Sequence, residues 1–371
     1  MKRKIWICML VLCLALAGCG KQGAENANKG NENKDKVEAQ ETSKTGVDAV
    51  GNTFTIPENL TKIGITPIPW ASVVYSVDNS SERINLIHPS AKTAYEGSLL
   101  EKMDPKFGEI NSSIISKDFS FNNEEVMGQG VQAMLIWDNQ VPEKEQLDKM
   151  GICPVMVQNK TVDDLKKSLS AVGQLLGKED RANSFIKAYD ESYEYMQSKQ
   201  EDVKKLPKVP VLYLRDGKLK IQGADNFIKE ALDLAGAQNI IGDGKTITME
   251  EVIAQDPQII LLSDFDPIVP DDLYENRLSG QDWSNVSAVK NKQVYKMPLG
   301  IYRWDAPGVE TPLMMKYLAK IVQPQAFKDV HFNKEMKNFY KELYGYDLSK
   351  EDQAQVLRMK ENANSKAIEL D

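Results

Sequence analysis

The amino-acid sequence predicts an α/β protein with two similar lobes, each built on a parallel-type sheet and connected by one long interlobe helix. The first observation is a repeat, which occupies residues 123–136 and again 249–262. Each copy opens on Glu-Glu-Val and closes in an apolar run, which predicts a short helix followed by a buried strand. The second observation is a long amphipathic pattern between the copies. Repeated units on either side of one helix indicate two related lobes.

The chain begins with a secretory pattern over residues 1–18. Three basic residues at positions 2–4 precede an apolar run that ends at Leu16 and is too short to cross a membrane comfortably. The stretch Leu16-Ala17-Gly18-Cys19 resembles a bacterial lipobox, which makes Cys19 the expected site of lipid attachment. The alternative is an ordinary signal peptide with an incidental cysteine. Residues 19–46 are polar and poor in large apolar side chains, so they are expected to form a flexible tether.

The first lobe is expected over residues 47–177, because short apolar runs alternate there with helical patterns. This alternation predicts a largely parallel sheet. The predicted strands cover residues 54–56, 62–65, 84–87, 133–137 and 154–157, and the predicted longer helices cover 91–103 and 161–176.

One continuous helix is expected over residues 178–205. Its apolar stripe includes Phe185, Tyr189 and Met196, and Pro207 ends the pattern. A helix of this length is about 40 Å long, enough to run from one lobe to the other.

The second lobe is expected over residues 206–371. The final residues are polar and are expected to fray. The predicted strands cover residues 209–213, 218–221, 259–262 and 294–297, and the predicted helices cover 226–235, 312–322, 334–344 and 350–360.

Composition argues against several classes of function. The formal net charge of −8 gives no support to nucleic-acid binding. His88 and His331 are the two histidines of the chain, which disfavours a histidine-based zinc site or catalytic triad. Cys153 is the single cysteine after Cys19 and is expected to be a buried structural thiol. No catalytic residue, metal ligand or cofactor is therefore assigned, and the chain is not expected to be an enzyme.

Aromatic and cationic residues near predicted strand ends form the candidate ligand site. Aromatic faces can cover the apolar parts of a bulky ligand, and arginine forks suit carboxylate, catecholate or oxyanion groups. A further segment, Asp264-Phe265-Asp266, follows a strand and is interpreted as a cation site or, with better support, a helix cap or solvated loop. The candidates are Trp70, Tyr75, Arg83, Tyr213, Arg215, Tyr302, Arg303 and Trp304.

Several stretches between residues 47 and 360 carry a family resemblance. The segments 51–57, 231–239 and 288–295 resemble the opening strand, second-lobe helix and late turn of the solute-binding lipoproteins of ABC importers for iron complexes, haem and corrinoids. One departure is Val131-Gln132, where the family usually has Pro-Asp, and it affects the chemistry of a local turn.

The resemblance implies a ligand held in the cleft between the lobes and a long helix that limits their closure. The implied ligand is a metal chelate, namely a ferric siderophore, haem or corrinoid, delivered by a lipid-anchored, extracytoplasmic and monomeric protein to a membrane permease and its ATPase. An oxyanion such as molybdate or tungstate is the alternative ligand, and an extracellular α/β enzyme is the alternative of another class.

Two glutamates are implied as contacts with the permease. By position, Glu124 and Glu250 match the exposed glutamates through which such proteins contact arginines of their permease. Independently of the resemblance, two acidic residues at matching places on two lobes would form a two-point contact for a basic partner. The alternative is that both are carboxylates favoured at helix N-termini by the helix dipole.

Overall fold

The structure, a computed structural model, describes residues 44–371 apart from 216–220, 223–225 and 241–245. The expectations for the secretory segment 1–18, for Cys19 and for the tether as far as residue 43 lie outside the described residues, as does the start of the strand expected at 218–221. Within the described part of the chain, no helix has the length and apolar character needed to cross a membrane.

The first lobe consists of a four-stranded parallel sheet with a small antiparallel hairpin beside it. The hairpin starts at Thr45, two residues before the expected start of the lobe. The elements are β1 (Thr45–Val47), β2 (Thr53–Thr55), β3 (Ile63–Ile65), α1 (Trp70–Asp78), β4 (Ile84–Ile87), α2 (Pro89–Tyr95), α3 (Leu99–Met103), a 3-10 helix (Pro105–Glu109), α4 (Asn123–Gly128), β5 (Ala133–Trp137), α5 (Val141–Lys149), β6 (Cys153–Val157) and α6 (Val162–Leu176).

Two helices follow, and then a second four-stranded parallel sheet. Three helices follow its last strand in the sequence. The elements are α7 (Glu179–Ser198), α8 (Gln200–Val203), β7 (Val209–Leu214), β8 (Ile221–Gln222), α9 (Asn226–Leu234), β9 (Ala237–Asn239), β10 (Thr246–Ile247), α10 (Met249–Gln255), β11 (Ile259–Leu262), α11 (Pro270–Tyr274), α12 (Ser287–Lys290), β12 (Val294–Lys296), α13 (Thr311–Val322), α14 (Phe332–Tyr344) and α15 (Lys350–Val356).

The two sheets have the same topology. The first has the strand order β4-β3-β5-β6, and the second, read in the same direction, has the order β9-β7-β11-β12. In both, the first strand of the unit is flanked by the second and the third, and all pairings are parallel. The repeated stretches form α4 with β5 and α10 with β11, which are equivalent in this order. The prediction of two similar α/β lobes is therefore confirmed.

The expected long helix is present, but it breaks near its end. The segment α7 is about 30 Å long, and Lys199 separates it from the single turn α8. The Tyr189 hydroxyl donates to the Gly308 carbonyl, and Ser192 Oγ donates to the Pro312 carbonyl at 2.9 Å. These buried bonds hold α7 against the start of α13.

The lobes also contact each other directly, beside the connecting helix. The Leu99 backbone N–H donates to the Gly300 carbonyl at 2.8 Å, and the buried Tyr344 hydroxyl donates to Ser76 Oγ at 2.7 Å. Because Ser76 lies on α1 and Tyr344 on α14, this hydrogen bond joins the two lobes.

The sequence analysis missed one helix of the first lobe and was wrong about the C-terminus. Trp70 and Tyr75 lie on helix α1, which the sequence did not predict, because eight of its nine residues are buried and no amphipathic pattern marks it. The C-terminus is not frayed. The Phe332 N–H donates to the Leu370 carbonyl at 2.7 Å, and Asn333 Nδ2 donates to the Asp371 carboxylate at 2.9 Å.

Candidate functional site

The carboxyl ends of the two sheets meet in the cleft between the lobes. In each sheet, the connections that leave the two central strands run in opposite directions, β3 and β5 in one lobe and β7 and β11 in the other. A crevice forms at such a point, and ligands of open α/β sheets bind there. Ile68, just after β3, and Phe265, just after β11, both pack against one small apolar cluster that contains Tyr302. The two crevices therefore face each other.

The first-lobe edge of this cleft is organised by neutral hydrogen bonds. The Thr66 hydroxyl donates to Gln140 Oε1 at 2.8 Å, and the Trp137 backbone N–H donates to the same oxygen at 3.0 Å. Thr66 follows β3 and Gln140 lies between β5 and α5, so this amide joins the two loops of the crevice.

His88 is a buried structural group at the same edge. Its Nδ1 accepts a hydrogen bond from the Ser90 N–H at 3.0 Å and so caps α2. The ring lies 4.8 Å from the ring of Phe119. Burial lowers the pKa of the imidazole, which favours the neutral form that the cap requires.

The second-lobe edge is built from buried charges. Lys296, at the end of β12, donates from Nζ to the carbonyls of Ser263 at 2.7 Å and Ile268 at 3.0 Å, and also to that of Asp266. The Asp305 carboxylate accepts from Tyr213 Oη at 2.9 Å, placing this tyrosine in the support of the site. The same Oδ2 atom also accepts from the Ser263 hydroxyl and the Asp264 N–H.

Asp264 is the other acid of this edge. It forms an ion pair with Arg358, in which Nη2 lies 2.9 Å from one carboxylate oxygen and 3.1 Å from the other. Burial nevertheless raises the pKa of Asp264 to about 6, and the neighbouring cations oppose this. The Asp264-Phe265-Asp266 segment is thus a charged turn whose first residue is buried and whose other two are partly exposed. In the described part of the chain, no group of three His, Cys, Asp or Glu side chains is placed to hold a metal ion.

Two guanidinium groups stand over one aromatic ring at this edge. Arg215 and Arg303 lie 4.6 and 4.5 Å from the centroid of Phe265. Arg303 Nε is 3.8 Å from Asp264 Oδ2, which is too long for a hydrogen bond, and makes no other hydrogen bond to a described residue. The buried Tyr302 hydroxyl also lacks an acceptor among the described residues. The edge thus combines positive charge with unused buried donors, which suits an anion.

The loop that carries these donors is held by a buried carboxylate. Glu310 accepts from the backbone N–H groups of Ile301 and Tyr302, both at 3.0 Å, and from the Tyr340 hydroxyl. Burial raises the pKa of Glu310, while these three donors favour its ionised form. Sequence reasoning missed Glu310, and a glutamate just before a helix gives no signal that it is buried.

Four residues expected in the cleft have structural surroundings instead. Arg83 is paired with Asp78, and its guanidinium also donates to the Leu176 carbonyl at 3.2 Å, so its charge is already compensated. Tyr75, Trp70 and Trp304 belong to the main core, with 4%, 1% and 1% of their surface exposed. Of the expected ligand contacts, the structure brings together Arg215, Tyr302 and Arg303. Trp70, Tyr75 and Trp304 are corrected to core residues, Arg83 to an internal ion pair and Tyr213 to a residue that supports Asp305.

Glu124 and Glu250 occupy matching positions on the surface. Each is the second residue of its helix, α4 or α10, and each is exposed. Hydrogen bonding to its own backbone N–H and to Thr248 lowers the pKa of Glu250. Outside both regions, burial raises the pKa of Cys153 to about 12, which disfavours the reactive thiolate.

Comparison with known proteins gives a consistent family. Residues 134–299 match the family model described as "Periplasmic binding protein". The crystal structure of a periplasmic solute binding protein from Veillonella parvula DSM 2008 is 37% identical, with a TM-score of 0.81, and the match covers 87% of this chain and 99% of that chain.

Two curated relatives extend the comparison. The molybdate-binding protein MolA of Haemophilus influenzae is 27% identical over 187 residues, a match that covers 49% of this chain and spans 52% of that protein. The ABC transporter substrate-binding lipoprotein YvrC of Bacillus subtilis, described as uncharacterized, is 23% identical over 340 residues, which cover 88% of this chain and 98% of that protein.

Proposed function

Because the chain belongs to the periplasmic binding protein family of solute-binding proteins, we propose that it is the extracytoplasmic substrate-binding component of an ABC importer. In this proposal it acts as a monomer, binds one solute between its lobes and delivers it to a permease that works with an ATPase. The match to YvrC along most of both chains supports this.

The proposed ligand is a compact anion, with an oxyanion such as molybdate or tungstate as the first candidate. The observation that carries this choice is the Arg215–Phe265–Arg303 group beside the unused hydroxyl of Tyr302. Guanidinium forks and buried hydroxyls donate hydrogen bonds to oxyanions, and partial burial strengthens these charge-assisted bonds. The similarity to MolA supports the same candidate.

A metal chelate with exposed anionic oxygens, such as a ferric siderophore, is the second candidate. It is favoured by the aromatic faces at the same edge, since Phe265 and Tyr302 belong to the apolar cluster between the lobes. A chelate needs more room than an oxyanion, so binding it would require the lobes to stand farther apart around the bond between Ser76 and Tyr344.

The proposed mechanism follows from the two edges. The charged edge binds the anion first, because its donors are fixed by Glu310, Lys296 and Asp305 before any ligand arrives. The neutral first-lobe edge then covers the ligand and excludes water, which strengthens the same interactions. The helix α7 and the direct bonds between the lobes restrict this closure to a small displacement.

The test is ligand binding by wild type and Arg303→Met on the chain that starts after Cys19. Calorimetry would be run with molybdate, tungstate, sulfate and a ferric siderophore, and the recovered ligand would be checked for chemical change. We expect wild type to prefer one anion and Arg303→Met to bind it at least tenfold more weakly, a loss of about 1.4 kcal/mol.

Arg277→Met is the matched control, since that guanidinium is 51% exposed and pairs with the nearby carboxylates of Asp272 and Glu275. Equal affinity of wild type and Arg303→Met would refute the site. A ligand returned chemically altered would refute the binding-protein proposal in favour of an enzyme.

Membrane attachment through a lipid on Cys19 is part of the same proposal. It is supported by the lipobox-like sequence before this cysteine and by the similarity to a protein described as a lipoprotein. In cell fractionation, Cys19→Ser should leave the membrane fraction, whereas Cys153→Ala should remain in it. Retention of Cys19→Ser on the membrane would contradict the anchor.

A further inference from the structure

Two exposed apolar side chains occupy the same place in the two lobes. Met127 is 55% exposed and Ile253 is 43% exposed, which sets them among the few large apolar residues that face solvent in the described part of the chain. In the repeat, Met127 aligns with Ile253, just as Glu124 aligns with Glu250. A single exposed apolar residue is ordinary on a protein surface. The same exposure at equivalent positions of two lobes needs an explanation.

The local structure shows that these residues are not needed for the core. The residue before each one, Val126 or Val252, is fully buried and fixes its helix to the sheet. The next position on each helix therefore points away from the core, and a polar residue would be accommodated there at no cost to packing. The fold requires the two valines, whereas Met127 and Ile253 leave 55% and 43% of their surface in solvent.

Each exposed apolar residue lies beside an exposed carboxylate. Residues three apart on a helix are neighbours on its surface, so Glu124 is next to Met127 on α4, and Glu250 is next to Ile253 on α10. Each lobe thus presents one negative charge and one apolar side chain at the same spacing. We call the four residues Glu124, Met127, Glu250 and Ile253 the paired surface.

We propose that Met127 and Ile253 are apolar contacts of the paired surface with the importer's permease, each entering an apolar recess that lies next to a basic group. The proposal rests on the proposed function and identifies the partner by charge and shape. A negative group favours a basic counterpart, and a large apolar side chain with a buried neighbour favours a recess that excludes water. Because each lobe contributes one glutamate and one apolar residue to the paired surface, the partner must present the same basic and apolar features twice.

The two kinds of residue should contribute differently to binding. Charges at an exposed rim mainly accelerate association and give it salt dependence, whereas apolar groups that become buried mainly slow dissociation. Substitution of the apolar pair should therefore raise the dissociation rate and leave the salt dependence of association unchanged. Charge reversal at Glu124 and Glu250 should slow association and alter its salt dependence.

The experiment measures binding of ligand-loaded protein to the importer's permease–ATPase complex in nanodiscs, together with the ATPase rate that it stimulates. The test variant is Met127→Ser/Ile253→Thr. The control is Met359→Ser/Val47→Thr, which makes the same kind of change at residues that are 57% and 49% exposed elsewhere. We expect the test variant to bind at least tenfold more weakly, with unchanged ligand affinity and melting temperature, and the control to behave like wild type.

Four outcomes would overturn the inference. The test variant could bind the complex as tightly as wild type, while Glu124→Lys/Glu250→Lys loses binding; the proposed function would then stand without the apolar contacts. The control could weaken binding equally, which would show a non-specific effect. Wild type could dimerise in solution through Met127 and Ile253, assigning them to a second copy of the chain. Wild type could fail to bind or stimulate the complex, which would refute the proposed function itself.

Discussion

The two edges of the cleft share one topology and differ in the chemistry of their buried groups. The first-lobe edge is closed by neutral groups, with Gln140 bridging Thr66 and the end of β5. The second-lobe edge holds the charges of Lys296, Asp264 and Asp305 in nearly complete burial. The sheets behind them have the same strand order and the same parallel pairing. A repeated fold therefore does not imply a repeated site.

Under the proposed function, this difference gives the two lobes separate tasks. Buried charges are costly to organise and are retained where they meet a charged ligand or hold the groups that do. The second lobe provides such groups, since Arg303 and Arg215 stand over Phe265 above the buried acids. In the same proposal the first lobe covers the ligand with buried groups that are neutral, and its Asp138–Lys160 ion pair lies at a more exposed position after β5 and β6.

The largest expected effect is loss of the buried cation at the charged edge. Lys296→Met removes the ammonium group that donates hydrogen bonds to three backbone carbonyls. It also removes the positive charge 4.0 Å from Asp264 Oδ1. Breaking a buried ionic network in this way should lower the free energy of unfolding by about 3–5 kcal/mol. Urea unfolding at neutral pH measures it. The control Lys167→Met, at an exposed position of α6, should stay within about 0.5 kcal/mol of wild type.

A loss below about 1 kcal/mol for Lys296→Met would mean that the charges of this edge are not coupled, and the contrast between the two edges would then fail.

A smaller effect is expected at the neutral edge. Thr66→Val keeps the shape of the side chain but removes the hydroxyl that contacts Gln140 Oε1 at 2.8 Å and the Leu135 carbonyl at 3.3 Å. The Trp137 N–H still donates to Gln140, so the amide is not left unpaired. The free energy of unfolding should fall by about 1–2 kcal/mol, clearly less than for Lys296→Met in the same urea titration. Equal losses would show that neutral and charged edges are equally sensitive.

The sequence predicted the frame of the cleft better than its chemistry. The strands expected at residues 133–137 and 259–262 have the bounds of β5 and β11, because both are apolar runs buried on both faces. Helix α1 was missed for a related reason: it is buried nearly all round, so no polar face marks its period.

Within the site, Arg215, Tyr302 and Arg303 were identifiable because they lie near the ends of predicted strands. Arg83 and Trp304 met the same criterion and proved to be an internal ion pair and a core residue. Lys296 gave a usable signal, a charged residue inside an apolar strand, that was not interpreted. Glu310 gave none, since its three donors come from a loop and from α14, and their approach depends on tertiary packing.

The last expected effect is a pH dependence that arises in the neutral edge. Burial holds the pKa of His88 below its ordinary value of 6.5, so the folded protein resists protonation that the unfolded chain accepts. Stability rises with pH wherever the unfolded state binds more protons. The contribution of His88 is therefore complete above pH 6.5 and is lost as the pH falls below that value. Protonation would also remove the acceptor that caps α2 at the Ser90 N–H.

The variant His88→Asn isolates this contribution, because an asparagine oxygen can still cap the helix and carries no titrating group. Urea unfolding at about pH 7.5 and about pH 5.5 should show a smaller loss of stability on acidification for His88→Asn than for wild type. His331→Asn, at an exposed histidine, should follow wild type. If wild type and His88→Asn lose the same stability, His88 contributes nothing to the acid sensitivity. The charged edge would not account for it either, because the raised pKa of Asp264 makes acidification stabilising at that group.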